Sequence, residues 1–280
     1  PLFFLPGSSR EAAKQKLSSS FPQVRYLEDF VGFPVYEDTE THYYSPGEKM
    51  LEALIPELEK AERYIFLEFF IVQDGIMWGR ILDVLRQKAA HGVKVRLLYD
   101  DIGCFLILPS NYVKQLESFG IECSVFNPFR PVLTVAQNNR DHRKIISIDG
   151  KVAFTGGINL ADEYINAIEK HGHWKDSAIM LRGKAAWSLT LMFLQMWEIS
   201  THTDEDYRQY YPWEDTPCSH FQNGFVQPYA DSPMDKENVG EHVYLQILNQ
   251  ARDYVYINTP YLIVDDSMVS ALTLTAKRGG

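Results

Sequence analysis

The chain has 280 residues, 45% of them hydrophobic and 23% charged, with a net charge of −10; this is enough for one large or two ordinary folded domains and unlike a disordered or fibrous chain. The acidic balance argues against general nucleic-acid binding and against attraction to anionic lipid through the overall field. Cys104, Cys123 and Cys218 are widely spaced and form no C-x-x-C pair, which reads as reduced thiols, and no run of about 18 apolar residues offers a membrane span.

Residues 1–44 are an N-terminal segment that opens on Pro1 and Leu-Phe-Phe-Leu rather than Met, which suggests either a processed protein or a piece excised from a longer one. Ser45-Pro46-Gly47-Glu48 has the form of a helix start, with Ser as N-cap, Pro at N1 and Glu at N3. Met50, Leu51, Leu54, Ile55 and Leu58 then share one helical face, and Pro56 is a candidate kink. The apolar run over 64–72 predicts a buried strand with Glu68 in its middle. A helix is expected near 77–91, with Gly92 stopping it, then a strand over 94–99, a helix over 110–119 and a strand over 121–126. Beyond a hairpin at 144–155 come a short helix near 159–167, a strand near 177–182 and a helix near 184–200. Alternating strands and helices argue for an α/β fold, with a first domain at 45–201. Residues 202–239 are polar and rich in Pro, Asp and aromatics, and read as a linker or long excursion.

An internal repeat follows. Ala61-Glu-Arg-Tyr-Ile-Phe-Leu-Glu-Phe-Phe-Ile-Val is similar to Ala251-Arg-Asp-Tyr-Val-Tyr-Ile-Asn-Thr-Pro-Tyr-Leu, and each sits between two helical stretches. Residues 240–280 are therefore expected to be the incomplete start of a second, similar domain.

Residues 142–159, His-Arg-Lys-Ile-Ile-Ser-Ile-Asp-Gly-Lys-Val-Ala-Phe-Thr-Gly-Gly-Ile-Asn, carry the most chemistry. A strand places His142 and Lys144 on one face. An imidazole nucleophile beside an ammonium suits attack on an anionic phosphodiester, with Lys144 stabilising charge on the oxygens and Asn159 adding a neutral donor. Asp149-Gly150 is a two-residue hairpin signal, so Asp149 is expected at a turn, away from His142 and in a structural role. Gly156 and Gly157 allow backbone to approach a ligand. Arg140, Arg143, Lys144 and Lys151 concentrate positive charge where a phosphate would sit.

Glu68 either pairs with a base in the core or points into the site, the second being preferred. Asp100 and Asp101 end a strand, where open α/β sheets place functional groups, or they are simple loop-start acids. His171-Gly172-His173 offers two ligands and no nearby Cys, short of a zinc set, and reads as a loop lining the site; no metal is expected. Phe105-Leu106-Ile107-Leu108-Pro109 is a buried helix entry or an apolar loop that dips into lipid, with burial preferred.

The spacing H-x-K-x4-D-x6-G-G-x2-N is that of the phospholipase D superfamily. Within it, Tyr64-Ile-Phe-Leu-Glu-Phe-Phe-Ile, Gly92-Val-Lys-Val-Arg-Leu-Leu-Tyr-Asp-Asp-Ile-Gly, Asn139-Arg-Asp-His-Arg-Lys, Gly156-Gly-Ile-Asn-Leu-Ala-Asp-Glu-Tyr, Trp174-Lys-Asp and Asn258-Thr-Pro-Tyr resemble bacterial cardiolipin synthases. The resemblance implies a mixed β-sheet flanked by helices. It implies a phosphatidyltransferase that takes phosphatidyl from one phosphatidylglycerol onto a histidine and passes it to a second, releasing glycerol, without cofactor. It places Asp176 on the second nitrogen of the His142 ring; Arg143, Gly156 and Gly157, from the charge cluster and the glycine pair, are expected to bind substrate. Its members carry N-terminal membrane helices and two His-Lys motifs. A cytoplasmic-face location at the bacterial membrane, anchored by segments outside this sequence, is expected. So are a phospholipid and a membrane surface as partners, no nucleic acid, self-association, and no turnover by this chain alone. A dimeric phosphodiesterase of the nuclease branch and a non-catalytic lipid-binding fragment are the alternatives.

Overall fold

The apolar runs at 64–69 and 94–100 are buried over nearly their whole length, and strands buried on both faces need helices on both sides of their sheet. The computed structural model, which describes residues 17, 21–129, 139–170, 172–213, 224–232, 236–259 and 261–279, has that arrangement. The chain divides into two units, one of Tyr36–Val226 and one of Pro1–Val35 with Gln227–Gly280.

In the larger unit, β1 (Thr39–Tyr44), β2 (Tyr64–Phe69), β3 (Lys94–Asp100), β4 (Ile121–Phe126), β5 (Ile145–Ile148), β6 (Val152–Gly156) and β7 (Ala178–Gly183) form one seven-stranded sheet in the order β1-β7-β6-β5-β2-β3-β4. β2, β3 and β4 run parallel, and the remaining pairings are antiparallel. The sheet thus reaches back into the segment before residue 45, since β1 pairs with β7. Alternation along β2 sends Ile65, Leu67 and Phe69 to one face and Tyr64 and Phe66 to the other. The first face packs on α1 (Gly47–Glu59), α2 (Ile76–Ala90) and α3 (Tyr112–Ser118) through Leu54, Leu58, Trp78, Ile81, Leu85 and Leu116. The second packs on α4 (Ala186–Thr201) through Trp187, Phe193, Leu194 and Trp197.

Several local expectations are revised. Ser45 is not the N-cap of α1: Pro46 is, and the Ser45 hydroxyl donates to the Asp176 carbonyl at 2.9 Å. Pro56 lies inside α1, which continues to Glu59. The helix expected near 159–167 is a single 3₁₀ turn, Asp162–Ile165. Its Asp162 carboxylate accepts from the N–H groups of Ile76 and Met77, at 2.9 and 2.8 Å, and so caps α2 from a distant part of the chain. Part of the stretch read as a linker belongs to the sheet unit. Arg96 on β3 stacks on Trp197, Phe66 and Tyr210 and pairs with Glu122 and Glu205, which seats the 3₁₀ turn Tyr207–Tyr210 against the second face.

In the smaller unit, α5 (Val239–Gln250) and α6 (Asp266–Lys277) flank residues 251–265, whose described members have no regular structure. The order helix, irregular stretch, helix follows the order of α1-β2-α2 with no strand in the place of β2 among the described residues. Among the described residues, however, no strand of this unit pairs with the stretch, and Tyr256 and Ile263 are 83% and 92% exposed. A strand without a neighbour has no partner for its N–H and C=O groups.

The β5–β6 hairpin turns on Asp149 and Gly150, both at positive φ, 54° and 69°, as a type I′ turn requires. The Asp149 carboxylate accepts from the backbone N–H groups of Glu62, Arg63 and Tyr64 at 2.8, 2.9 and 2.8 Å. It ties the hairpin to the start of the central strand. Asp149→Ala strands three donors, and the expected loss is about 3 kcal/mol in urea unfolding, with Asp149→Asn losing less because one acceptor remains. A loss under about 1 kcal/mol for the alanine variant would contradict this role.

Candidate active site

Residues 139–144 run along the end of the sheet into β5, and their alternation sorts the charges. Lys144 shares a side with Ile146 and, with Phe69, Met50, Phe154, Gly156 and Ile158, lines a small pocket. Arg143 takes the other side and pairs with Glu68 of β2 at 2.7 Å and with Asp141 at 3.3 Å. Asp100, the last residue of β3, accepts from the Asp141 N–H at 2.9 Å and pairs with Arg140 at 3.4 Å. Glu68, Asp100, Asp141 and Lys144 are all buried.

The His142 imidazole is exposed but rests against Phe70, with ring centroids 4.7 Å apart. Partial burial, and then the Lys144 ammonium, hold its pKa below the usual 6.5, with Asp141 opposing. It is therefore neutral at pH 7, with a lone pair to donate. Lys144 is 5% exposed; its Nζ donates to the His142 carbonyl at 2.6 Å and lies 5.5 Å from the centre of the Phe70 ring. Burial pushes its pKa down to about 8, against the pull of Asp141, Asp176 and Asp100, so it still carries its proton at pH 7. One face thus presents a neutral nucleophile beside a cation.

The other expected site residues are placed as follows. Asp149 sits at the far end of β5, committed to the three N–H groups described above. Glu68 pairs with a base, the first of its two readings. Arg143, expected on substrate, is held by Glu68 and Asp141 instead, because the side opposite His142 already buries two carboxylates that need a cation. Arg140 is likewise engaged with Asp100, and Lys151 follows the distant hairpin turn, so the basic run is largely neutralised from within. Asn159, expected as a phosphate donor, is buried; its Oδ1 accepts from the Ile71 N–H at 3.0 Å and its Nδ2 donates to the Tyr164 hydroxyl at 2.7 Å.

Gly156 and Gly157 make room for protein rather than for ligand. A Cβ on Gly156 would strike the Ser177 carbonyl, and one on Gly157 would strike the Asp176 carboxylate. Asp176, at the entry to β7, accepts from the Ser177 N–H at 2.7 Å and the Trp174 indole at 3.3 Å, and its charge acts on Lys144. Asp101 accepts from the Phe129 N–H at 2.5 Å and closes a loop. His171 lies outside the described residues and His173 is exposed; among the described residues no cluster of three or more His, Cys, Asp or Glu could hold a metal.

The preferred burial of Phe105–Pro109 is overturned except at Leu108, which is half-buried against the core. Ile102, Phe105, Leu106 and Ile107 are exposed, Leu106 to 92%, and the Phe105 ring meets Phe129. This loop begins directly after Asp100, beside the His142 segment. Sequence reading missed Phe70 and Asp141. An aromatic after a buried strand reads as core, and an Asp among alternating charges reads as solvated surface.

Residues 54–197 match the family described as cardiolipin synthase, PLD-like domain. The chain belongs to this family. It is 50% identical to an uncharacterized protein of Streptococcus mutans, over 95% of this chain and 57% of that one. It is 38% identical to cardiolipin synthase 2 of Bacillus anthracis, over 86% of this chain and 46% of that one. The chain spans about half the length of these relatives. Among solved structures, phosphatidylserine synthase of Haemophilus influenzae shares the fold, with a TM-score of 0.63 over 92% of this chain and 64% of that one at 14% identity.

Burial raises the Glu68 pKa well above 4.5, Asp141 adds to the rise, and Arg143 opposes it. A carboxyl whose folded pKa exceeds its unfolded one binds more protons when folded, so its contribution to stability falls as pH rises from 4.5 through the folded value. Glu68→Gln should remove that fall. The difference in unfolding free energy between wild type and variant, followed by urea titration from pH 4.5 upward, should move steadily against the wild type; parallel curves would contradict the assignment.

Proposed function

We propose that the protein is a cardiolipin synthase-type phosphatidyltransferase, in which His142 attacks the phosphorus of one phosphatidylglycerol. The observation that carries this reading is that the His142 imidazole and the Lys144 ammonium lie against the same Phe70 ring at the entry to β5, with the imidazole pKa held below 6.5. The imidazole nitrogen forms a bond to phosphorus, the bond to the glycerol oxygen breaks, and a phosphatidyl-histidine remains. The hydroxyl of a second phosphatidylglycerol then attacks phosphorus and the imidazole leaves, giving cardiolipin. Splitting the exchange into two displacements makes each easier. Lys144 neutralises charge on the non-bridging oxygens as it builds up. Asp176 matches the carboxylate that orients the nucleophilic histidine in this family, and its charge acts on Lys144. The departing glycerol oxygen needs a proton; a second His-Lys pair, from a further part of the polypeptide or from another copy, supplies it and afterwards takes the proton of the acceptor hydroxyl.

Two features support lipid over nucleic acid as the substrate. The chain is acidic, with a net charge of −10, whereas nucleic-acid binding rests on excess positive charge. The loop beside the site exposes four apolar side chains, Ile102, Phe105, Leu106 and Ile107, which suits contact with a phospholipid surface.

The test is turnover of labelled phosphatidylglycerol in mixed micelles by the whole protein. Cardiolipin and glycerol should form together, His142→Ala should abolish both, and Lys144→Met should cut kcat by about 10²–10³. Activity should fall below pH 6.5 as His142 gains a proton and again above about 8 as Lys144 loses one. Undiminished turnover by His142→Ala, or salt-sensitive DNA cleavage in place of lipid transfer, would overturn the reading.

A further inference from the structure

We propose that Phe70 is a positioning residue for the nucleophile: its ring, laid against both the His142 imidazole and the Lys144 ammonium, fixes their relative orientation and keeps water from one side of each. The ring centroid lies 4.7 Å from that of His142 and 5.5 Å from Lys144 Nζ. The quadrupole of an aromatic face attracts a cation, so the ring favours charged Lys144, and its bulk excludes water that would solvate a charged imidazolium beside it. This rests on the transferase reading only in calling His142 the nucleophile.

Phe70 is itself held from behind. It follows the last residue of β2, and its carbonyl accepts from the Cys104 thiol at 3.6 Å. The Cys104 sulfur in turn accepts from the Val72 N–H at 3.3 Å. Gly103 lets the two segments meet: a Cβ there would collide with the Phe70 carbonyl and lie 3.2 Å from its ring. Asp100 completes the arrangement. It accepts from the Gly103 N–H at 3.3 Å, shaping the turn that clamps Phe70, and from the Asp141 N–H at 2.9 Å, next to His142. One buried carboxylate thus fixes both sides of the ring contact.

Charged groups act on both side chains. Lys144 and Asp141 act on His142; Asp141, Asp176 and Asp100 act on Lys144. Arg140, Arg143 and Glu68 lie behind them in pairs of their own. A change at Phe70 removes none of these charges, so a shift in titration reports the loss of the ring and of the spacing it sets.

The experiment follows the His142 imidazole by nuclear magnetic resonance in the histidine-labelled chain, with the signal identified by its loss in His142→Ala. Wild type should titrate below 6.5. Phe70→Leu and Phe70→Ala should move the midpoint upward by about half a unit or more, the scale of partial desolvation. Phe70→Trp, which keeps an aromatic face, should stay near wild type. Phe70→Leu keeps a large apolar side chain and guards against misfolding of the alanine variant. An unmoved midpoint in a folded Phe70→Leu variant would overturn the proposal. The measurement needs no turnover, so it is separate from the transferase reading. A moved midpoint with no matching move of the acid limb of transferase activity would count against that reading and leave the positioning role standing.

Discussion

Charge buried at one end of the sheet is the constraint on which the site depends. Glu68, Asp100, Asp141 and Lys144 are all buried there, with Arg140 and Arg143 beside them. Charges removed from water persist only when they neutralise one another in close geometry. The alternating positions of residues 140–144 do this, sending Arg143 to Glu68 and Asp141 on one side and leaving Lys144 with His142 on the other. Breaking a pairing would leave an uncompensated ion in the interior, so the segment that bears His142 has little freedom to move.

The same economy accounts for how parts of the motif divide their work. Within it, the exposed His142 and the buried Lys144 lie against the same Phe70 ring. Asp149 and Asn159 spend their polar atoms on backbone and on Tyr164, joining β5 and the loop after β6 to β2. Gly156 and Gly157 admit Ser177 and Asp176 to close quarters. Most of the motif therefore builds a frame around His142 and Lys144.

Much of the frame was legible from residue order. Continuous apolar runs announced β2 and β3, helical spacing announced α1, and Asp149-Gly150 announced the hairpin, because each signal is local. What escaped was settled by partners far along the chain. The cap of α2 comes from Asp162, 86 residues from Ile76, so no nearby residue could reveal it. Arg96 draws Glu205 and Tyr210 onto the sheet from a stretch whose polarity suggested a linker. At the site, the spacing of His142 and Lys144 was enough to bring them together. The fate of Arg143 was not readable, because it depends on Glu68, whose two readings differ only in tertiary context. Exposure of Phe105 and Leu106 runs against the rule that apolar groups are inside, which is where a surface that meets lipid would depart from it.

The central claim is that the buried charges hold His142 as a neutral nucleophile toward phosphorus. Its most direct test is acid-quenched peptide mapping by mass spectrometry after brief exposure of the protein to phosphatidylglycerol. The account predicts a phosphatidyl group on the peptide containing His142, bonded through the imidazole nitrogen and absent from the His142→Ala variant. An adduct on another residue, or lipid transfer that proceeds while His142 stays unmodified under conditions that trap the intermediate, would contradict it.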